Sequence, residues 1–162
     1  MKTPKILLII SCGKKKAQKL HNHKMRASYA YTGPMYQIIN KAKREGRWGS
    51  NLFLGIVSAK YGFLRGDDLI EYYDLKMTAK IAEKHNTQVI SEIIKWNNEE
   101  KFDYIHVLMG KLYLKAIEDL ETHLETTLVV ENMGGLGFGQ QKLIKFLNKF
   151  SEKPHFHINF KK

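Results

Sequence analysis

The stretch Lys5-Ile6-Leu7-Leu8-Ile9-Ile10-Ser11, running directly into Cys12-Gly13-Lys14-Lys15-Lys16, decides how the rest of the chain is read. Its apolar run is short and has no polar side, the pattern of a strand buried on both faces in the middle of a parallel sheet. Parallel strands need covering crossovers between them, and the chain supplies these in turn. After a basic, polar segment reaching about Ala30, Thr32-Gly33-Pro34 opens a helix with proline at its first position. Tyr36, Ile39 and Ala42 share one face of it and Gly46 ends it. Asn51 to Ser58 is the second strand, and Lys60 to Asp74 reads as an irregular connection with glycines at 62 and 66. Thr78 caps a long helix to about Asn98, with Ala82, Val89, Ile90, Ile93 and Ile94 at helical spacing. Tyr104 to Met109 is the third strand, ended by Gly110. A helix from about Leu112 to Leu120 leads to the fourth strand, Thr127 to Val130. The turn Gly134-Gly135-Leu136-Gly137-Phe138-Gly139 opens a last helix over about Gln140 to Phe150, and His155 to Phe160 alternates as an edge strand or a tail would. The pattern predicts one three-layer α/β domain over residues 1–162, with a mostly parallel sheet of about four to five strands and a flexible tail from about residue 153.

A chain of 162 residues, 43% apolar with three prolines, buries one sizeable core and is too short for two ordinary domains. No stretch reaches the roughly 20 consecutive apolar residues of a membrane helix. The N-terminal apolar run is too short, and too closely followed by charge, for a secretory signal. A soluble, cytoplasmic protein without a membrane partner is the expectation. One cysteine forms no internal disulfide and excludes a multi-cysteine zinc site within one chain. Residues 1–66 carry fourteen Lys or Arg against one acid, Glu45, about +13, whereas the remaining 96 residues total about −2. A basic half-chain with almost no interspersed acids, and a pI near 9.6, predict an anionic partner: nucleic acid (DNA or tRNA), or a phosphorylated small molecule.

Ligands of open parallel sheets bind beyond the carboxyl ends of the strands. Every unusual segment of this sequence follows a strand: Ser11 to Lys16, Ser58 to Asp74, Gly110-Lys111, and Glu131 to Gly139. At the first, Gly13 amides and lysines suit phosphate, Cys12 beside positive charge suits a nucleophile, and a lysine of depressed pKa suits attack on a carbonyl-like or glycosidic carbon. A solvated basic turn with Cys12 packed inward is the plainer alternative, and the spacing is not that of a Walker A loop. In the second, Tyr61 beside Lys60 and Arg65 suits base stacking and phosphate contact. Asp67, Asp68 and Asp74 suit a general base, a divalent metal or, more plainly, turn and helix caps. The glycine-rich turn suits an anion at a helix N-terminus, with Lys142, Lys145 and Lys149 on the helix behind it. The histidine pairs His21/His23 and His155/His157 hold a metal only with other partners, so no metal is assigned, and no cofactor is identified.

Tyr31-Thr32-Gly33, the run Ile56-Val57-Ser58-Ala59-Lys60-Tyr61-Gly62-Phe63-Leu64-Arg65, and Asp68-Leu69-Ile70 to Tyr73-Asp74 resemble the YaaA-type peroxide-stress proteins. They equally resemble related small domains with SCGKKK, YTG and SAKYGLL motifs. The resemblance covers roughly residues 5–75 and the Gly-Leu-Gly-Phe-Gly turn, in a chain shorter than full YaaA-type proteins. It implies an α/β domain associated with DNA binding and protection from oxidative damage. The cysteine-and-lysine strand end is also similar, more distantly, to the catalytic domain of archaeosine synthase, whose motif contains a proline that this chain lacks; that likeness implies a nucleobase-modifying activity.

The first reading is therefore a nucleic-acid-binding α/β domain acting on a nucleobase or nucleotide. Lys14, Lys15, Lys60 and Arg65 hold phosphate, and Tyr31 and Tyr61 stack or position. Cys12, Lys14, Asp68 and Asp74 are the candidates for chemistry. Ser11, Gly13, Lys16, Ser58, Gly135, Gly137 and Lys142 complete the binding set. The alternatives are an enzyme for a small phosphorylated metabolite and a non-catalytic binding module.

Overall fold

The strand that decides the sequence reading, β1 (Ile6–Ser11), lies at the centre of the molecule with Ile6 to Ile9 fully buried. The computed structural model describes residues 3–151, so the expected tail and the alternating His155 to Phe160 segment lie outside the described residues. Along the chain follow β2 (Met25–Arg26), α1 (Ala27–Ala30), α2 (Pro34–Arg44), β3 (Leu52–Ser58), β4 (Gly62–Arg65), β5 (Leu69–Ile70) and α3 (Ala79–Glu100). Then come β6 (Tyr104–Met109), α4 (Lys111–Leu114), β7 (Thr127–Asn132) and α5 (Leu136–Phe150).

Five strands form the main sheet in the order β4-β3-β1-β6-β7, and all neighbours except β3 and β4 run parallel. The β1-to-β3 crossover moves one way along the sheet and the connection from β3, after the β4 hairpin, to the parallel β6 moves the other, so right-handed connections put α2 and α3 on opposite faces. α5 packs on α2, while α3 packs on α4 and the 3-10 turn that follows it. The result is the three-layer α/β domain expected from the sequence. Helix α2 starts at Pro34 and buries Met35, Tyr36, Ile39 and Ala42 against the sheet. Helix α3 starts where Thr78 Oγ1 accepts from the Ile81 amide at 3.2 Å, and ends at Lys101, whose φ of 57° leaves the helical region.

Three elements differ from the sequence reading. Lys60 to Asp74 is irregular only in part: Ser58 pairs with Gly62 across a three-residue loop, and β4 returns antiparallel along β3 until Arg65 faces Gly55, whereas residues 71–74 have no regular structure. Gly62, at φ 74°, supplies the left-handed residue such a loop requires, and Phe63 and Leu64 are buried behind it. The helix expected from Leu112 to Leu120 is one α-turn followed by 3-10 turns at Lys115–Ile117 and Leu120–His123, interrupted by Asp119 at φ 69°. The last helix begins at Leu136, not Gln140, because only Gly134 and Gly135 take the positive φ of the turn. Gly139 lies inside that helix, where a methyl group would collide with the Met133 side chain.

The β4 edge is closed by side chains. Gln88 Oε1 accepts from the Phe63 amide at 3.0 Å and Asp68 Oδ2 from the Arg65 amide at 2.8 Å, which occupies outward donors that would otherwise template another strand. Among the described residues no helix is long and apolar enough to cross a membrane.

Candidate functional site

Strands β1 and β6 are neighbours whose continuations turn to opposite faces, and the crevice beyond their carboxyl ends is the switch point where such sheets bind ligands. A cavity of about 460 Å³ opens there. Cys12, Gly13, Lys14 and Lys16 line it from the end of β1, Asp74 to Met77 from the approach to α3, and Tyr113 from α4. The Cys12 thiol and the Tyr113 hydroxyl, 3.2 Å apart, join the two sides of the crevice. Met77 is a buried wall and Leu75 a half-exposed one. Lys14 and Lys76 stand exposed at the rim. The cavity thus combines an apolar side with an ammonium-rich mouth.

Lys16 is held by its backbone and by rings. It bridges to Tyr31, while the Lys15 carbonyl accepts from the Thr32 amide at 3.0 Å and the Ala17 amide donates to the Ala30 carbonyl at 2.8 Å. Its Nζ lies 4.5 Å from the centre of the Tyr73 ring and about 6 Å from those of Tyr31 and Tyr72, a three-tyrosine cage. Partial burial lowers the Lys16 pKa from its ordinary value, against the opposing pull of Cys12 and Asp74.

Beneath the cage runs a row of buried hydroxyls. Tyr31 Oη is 2.6 Å from Tyr73 Oη, which is 3.0 Å from Ser58 Oγ. Ser58 Oγ in turn accepts from the Lys60 and Tyr61 amides at 3.2 and 3.1 Å. Tyr36 donates to the Ser11 carbonyl at 2.7 Å, tying α2 to the end of β1. Burial pushes the phenols of Tyr31, Tyr36, Tyr73 and Tyr113 well above their ordinary range. A group whose folded pKa is raised contributes stability that is complete below its unfolded pKa, about 10 for tyrosine, and lost as pH rises beyond it. The protein is therefore expected to keep its stability up to about pH 10 and then lose it steeply, with phenolate absorbance beyond that of exposed tyrosines such as Tyr29 and Tyr72 appearing together with the loss of secondary structure. Phenolate in excess of the exposed tyrosines well before unfolding would show the buried hydroxyls to be accessible in the fold.

Of the residues singled out from sequence, the structure brings Cys12, Gly13, Lys14, Lys16 and Asp74 into one cavity. Tyr31 and Ser58 lie directly behind it; both are fully buried, so Tyr31 offers no face to a base and its role is positioning. Lys60 is exposed on the adjoining shoulder, its Nζ 5.4 Å from the Tyr61 ring, and Tyr61 Oη bonds the Glu71 backbone. Lys15 is exposed and lines neither cavity, and Ser11 lines a smaller one of about 130 Å³ that shares Cys12 and Gly13 with the first and reaches Leu136. Arg65 and Asp68 are not part of this site. The hairpin carries them back along β3 to a separate groove beside Trp48 and Trp96, where Arg65 pairs with Glu99 at 2.9 Å and Asp68 caps the turn. Gly135 and Gly137 shape and begin α5, and the Lys142 ammonium is 2.6 Å from the Asn132 carbonyl.

Leu75, Lys76, Met77 and Tyr113 were not singled out from sequence, and Tyr73 entered only through the motif that ends in Tyr73-Asp74. Lys76 carried a usable clue, as a further cation between the aspartate cluster and the Thr78 cap, but Tyr113 joins the site only through the order of the strands.

A family model described as a family of unknown function (DUF6884) matches residues 7–149. The chain belongs to the DUF6884 family. The DUF6884 match takes in every residue of the cavity, from Cys12 to Tyr113, and nearly all of the sheet and its helices. The chain is also similar to the uncharacterized protein YfjM of Bacillus subtilis (strain 168), 29% identical over 160 residues that cover 93% of this chain and 98% of that one. No solved structure matches it.

Proposed function

We propose that this DUF6884 chain is a nucleic-acid-binding domain that holds one nucleotide of DNA or tRNA in the strand-end cavity and acts on its base. The observation that carries this reading is the pairing, in one cavity, of the apolar side chains Leu75 and Met77 with the cations Lys14, Lys16 and Lys76. Phosphate alone needs no apolar wall, and an apolar ligand needs no row of ammonium groups. The cavity of about 460 Å³ also falls within the size range of ligand sites. The basic N-terminal segments around it extend the favourable potential beyond one phosphate, which favours a polymer over a free metabolite. Cys12 is the chain's one thiol, and its place in the cavity makes it the candidate for chemistry on the base. The likeness to YaaA-type proteins supports DNA as the polymer and oxidative stress as the setting.

Fluorescence anisotropy with single- and double-stranded oligonucleotides, and with a nucleoside monophosphate as competitor, tests the reading. Oligonucleotide affinity is expected to fall with salt, with a log–log slope of about −1.5 to −3 for two or three engaged lysines. Bound oligonucleotide is expected to shield Cys12 from a thiol reagent. Mononucleotide binding without oligonucleotide affinity at low salt would shift the conclusion to a small phosphorylated ligand.

A further inference from the structure

We propose that β7 is a pairing edge, through which two copies of the chain join antiparallel about a two-fold axis to make one continuous ten-stranded sheet from their five-stranded halves. This inference is independent of what the cavity binds. It begins with the unequal treatment of the two sheet edges. The β4 edge is closed by Gln88 and Asp68, as described above. At the other edge, the Met133 amide donates inward to the Met109 carbonyl at 2.9 Å. Alternation along the strand then turns the amides and carbonyls of Leu128, Val130 and Asn132 outward. Among the described residues one hydrogen bond meets that row, from Lys142 Nζ to the Asn132 carbonyl. Val130, at the middle of the row, is 46% exposed. The outward-bonding positions carry no proline and no charge, the usual means of blunting an edge.

The charges around β7 select a second copy as the occupant. Residues 116–141 hold five acids and no Lys or Arg in a chain whose net charge is +11. Four of those acids, Glu118, Asp119, Glu121 and Glu125, precede β7, while Lys142 is anchored at its far end. The edge is thus acidic at one end and basic at the other, an order that a two-fold axis inverts. An axis at Val130 sets Leu128 opposite Asn132 of the second copy, valine against valine at the centre, and the acidic approach of each chain beside Lys142 of the other. Stacking the same edges parallel would place acid on acid.

Sedimentation equilibrium of the full chain is expected to give a dimer of twice 18.9 kDa, weakened by salt. Val130→Lys, which sets two ammonium groups on the axis, is expected to raise the dissociation constant about tenfold or more while leaving the melting curve of the monomer unchanged. Glu125→Lys and Lys142→Glu are each expected to weaken the dimer, and the double exchange to restore it, which only the antiparallel pairing does. A monomer up to about 100 μM, a dimer indifferent to Val130→Lys, or a double exchange no tighter than the single ones would overturn the proposal. So would a monomer whose Leu128, Val130 and Asn132 amides resist hydrogen exchange, since the chain would then be covering its own edge.

Discussion

Replacing Tyr73 with phenylalanine is expected to lower the unfolding free energy by about 1–3 kcal/mol, out of proportion to the loss of one oxygen atom. That oxygen is the middle of the buried row, bonded to Tyr31 Oη at 2.6 Å and Ser58 Oγ at 3.0 Å. Without it Tyr31 Oη loses its partner in a fully buried site, and Ser58 keeps only its two amide donors. Water has no access to make good the loss, so the desolvation of the stranded hydroxyls falls on the folded state alone. Tyr31→Phe is the internal control: it removes an end of the row and leaves Tyr73 bonded to Ser58, so it is expected to cost less. Tyr73→Ala, which also empties the ring's place under Lys16, is expected to cost about 3–5 kcal/mol. Thermal unfolding separates the three, at about 2–4 °C per kcal/mol for a chain of this size. Equal effects of Tyr73→Phe and Tyr31→Phe would mean that the row does not bear on stability as the geometry indicates.

Replacing Lys16 with methionine is expected to reduce oligonucleotide affinity by about one to two orders of magnitude, the range for charge-assisted hydrogen bonds, and to leave stability unchanged or raised. The two halves of that expectation come from one fact. Lys16 is partly buried in a cage of tyrosine rings, which lowers its pKa by desolvation, so its charge is a cost to the folded chain until an anion arrives. Lys14, exposed at the rim, is expected to give a smaller loss, and each lysine removed is expected to make the salt slope shallower by about one. Lys16→Arg is not expected to rescue binding fully, because the planar guanidinium does not fit a site shaped around a compact ammonium. If Lys16→Met binds as tightly as the parent, or no more weakly than a change at Lys95 on the far helix α3, the cavity is not where the phosphate goes.

The sequence carried much of this architecture, for identifiable reasons. β1 was legible because a doubly buried strand has no polar side, and α2 and α3 because Pro34 and Thr78 mark their starts before regular apolar spacing. The core of the site was legible too, since Cys12, Gly13, Lys14 and Lys16 follow that strand directly. The hairpin was not. Ser58-Ala59-Lys60-Tyr61-Gly62 mixes charge, ring and glycine in the manner of an open loop, and its turn geometry is fixed only by pairing with β3. Reading it as a loop placed Arg65 and Asp68 at the site, whereas the return strand takes them to the groove beside Trp48 and Trp96. Tyr113 was illegible for a different reason: nothing local says that β6 lies beside β1, and only that neighbourhood brings its hydroxyl to the Cys12 thiol.

The row of hydroxyls behind the cavity has a direction. Both lone pairs of Ser58 Oγ are taken by the Lys60 and Tyr61 amides, so its hydrogen must go to Tyr73. Tyr73 accepts from Ser58, and of the two phenol hydrogens one is used between Tyr73 and Tyr31 and the other is the one that the row does not consume. The tight turn after β3 thereby sets the orientation of the Ser58 hydrogen, which is aimed at the phenol of Tyr73 beneath Lys16. A backbone reversal that lines no part of the cavity thus makes one tyrosine of its back wall a hydrogen-bond acceptor.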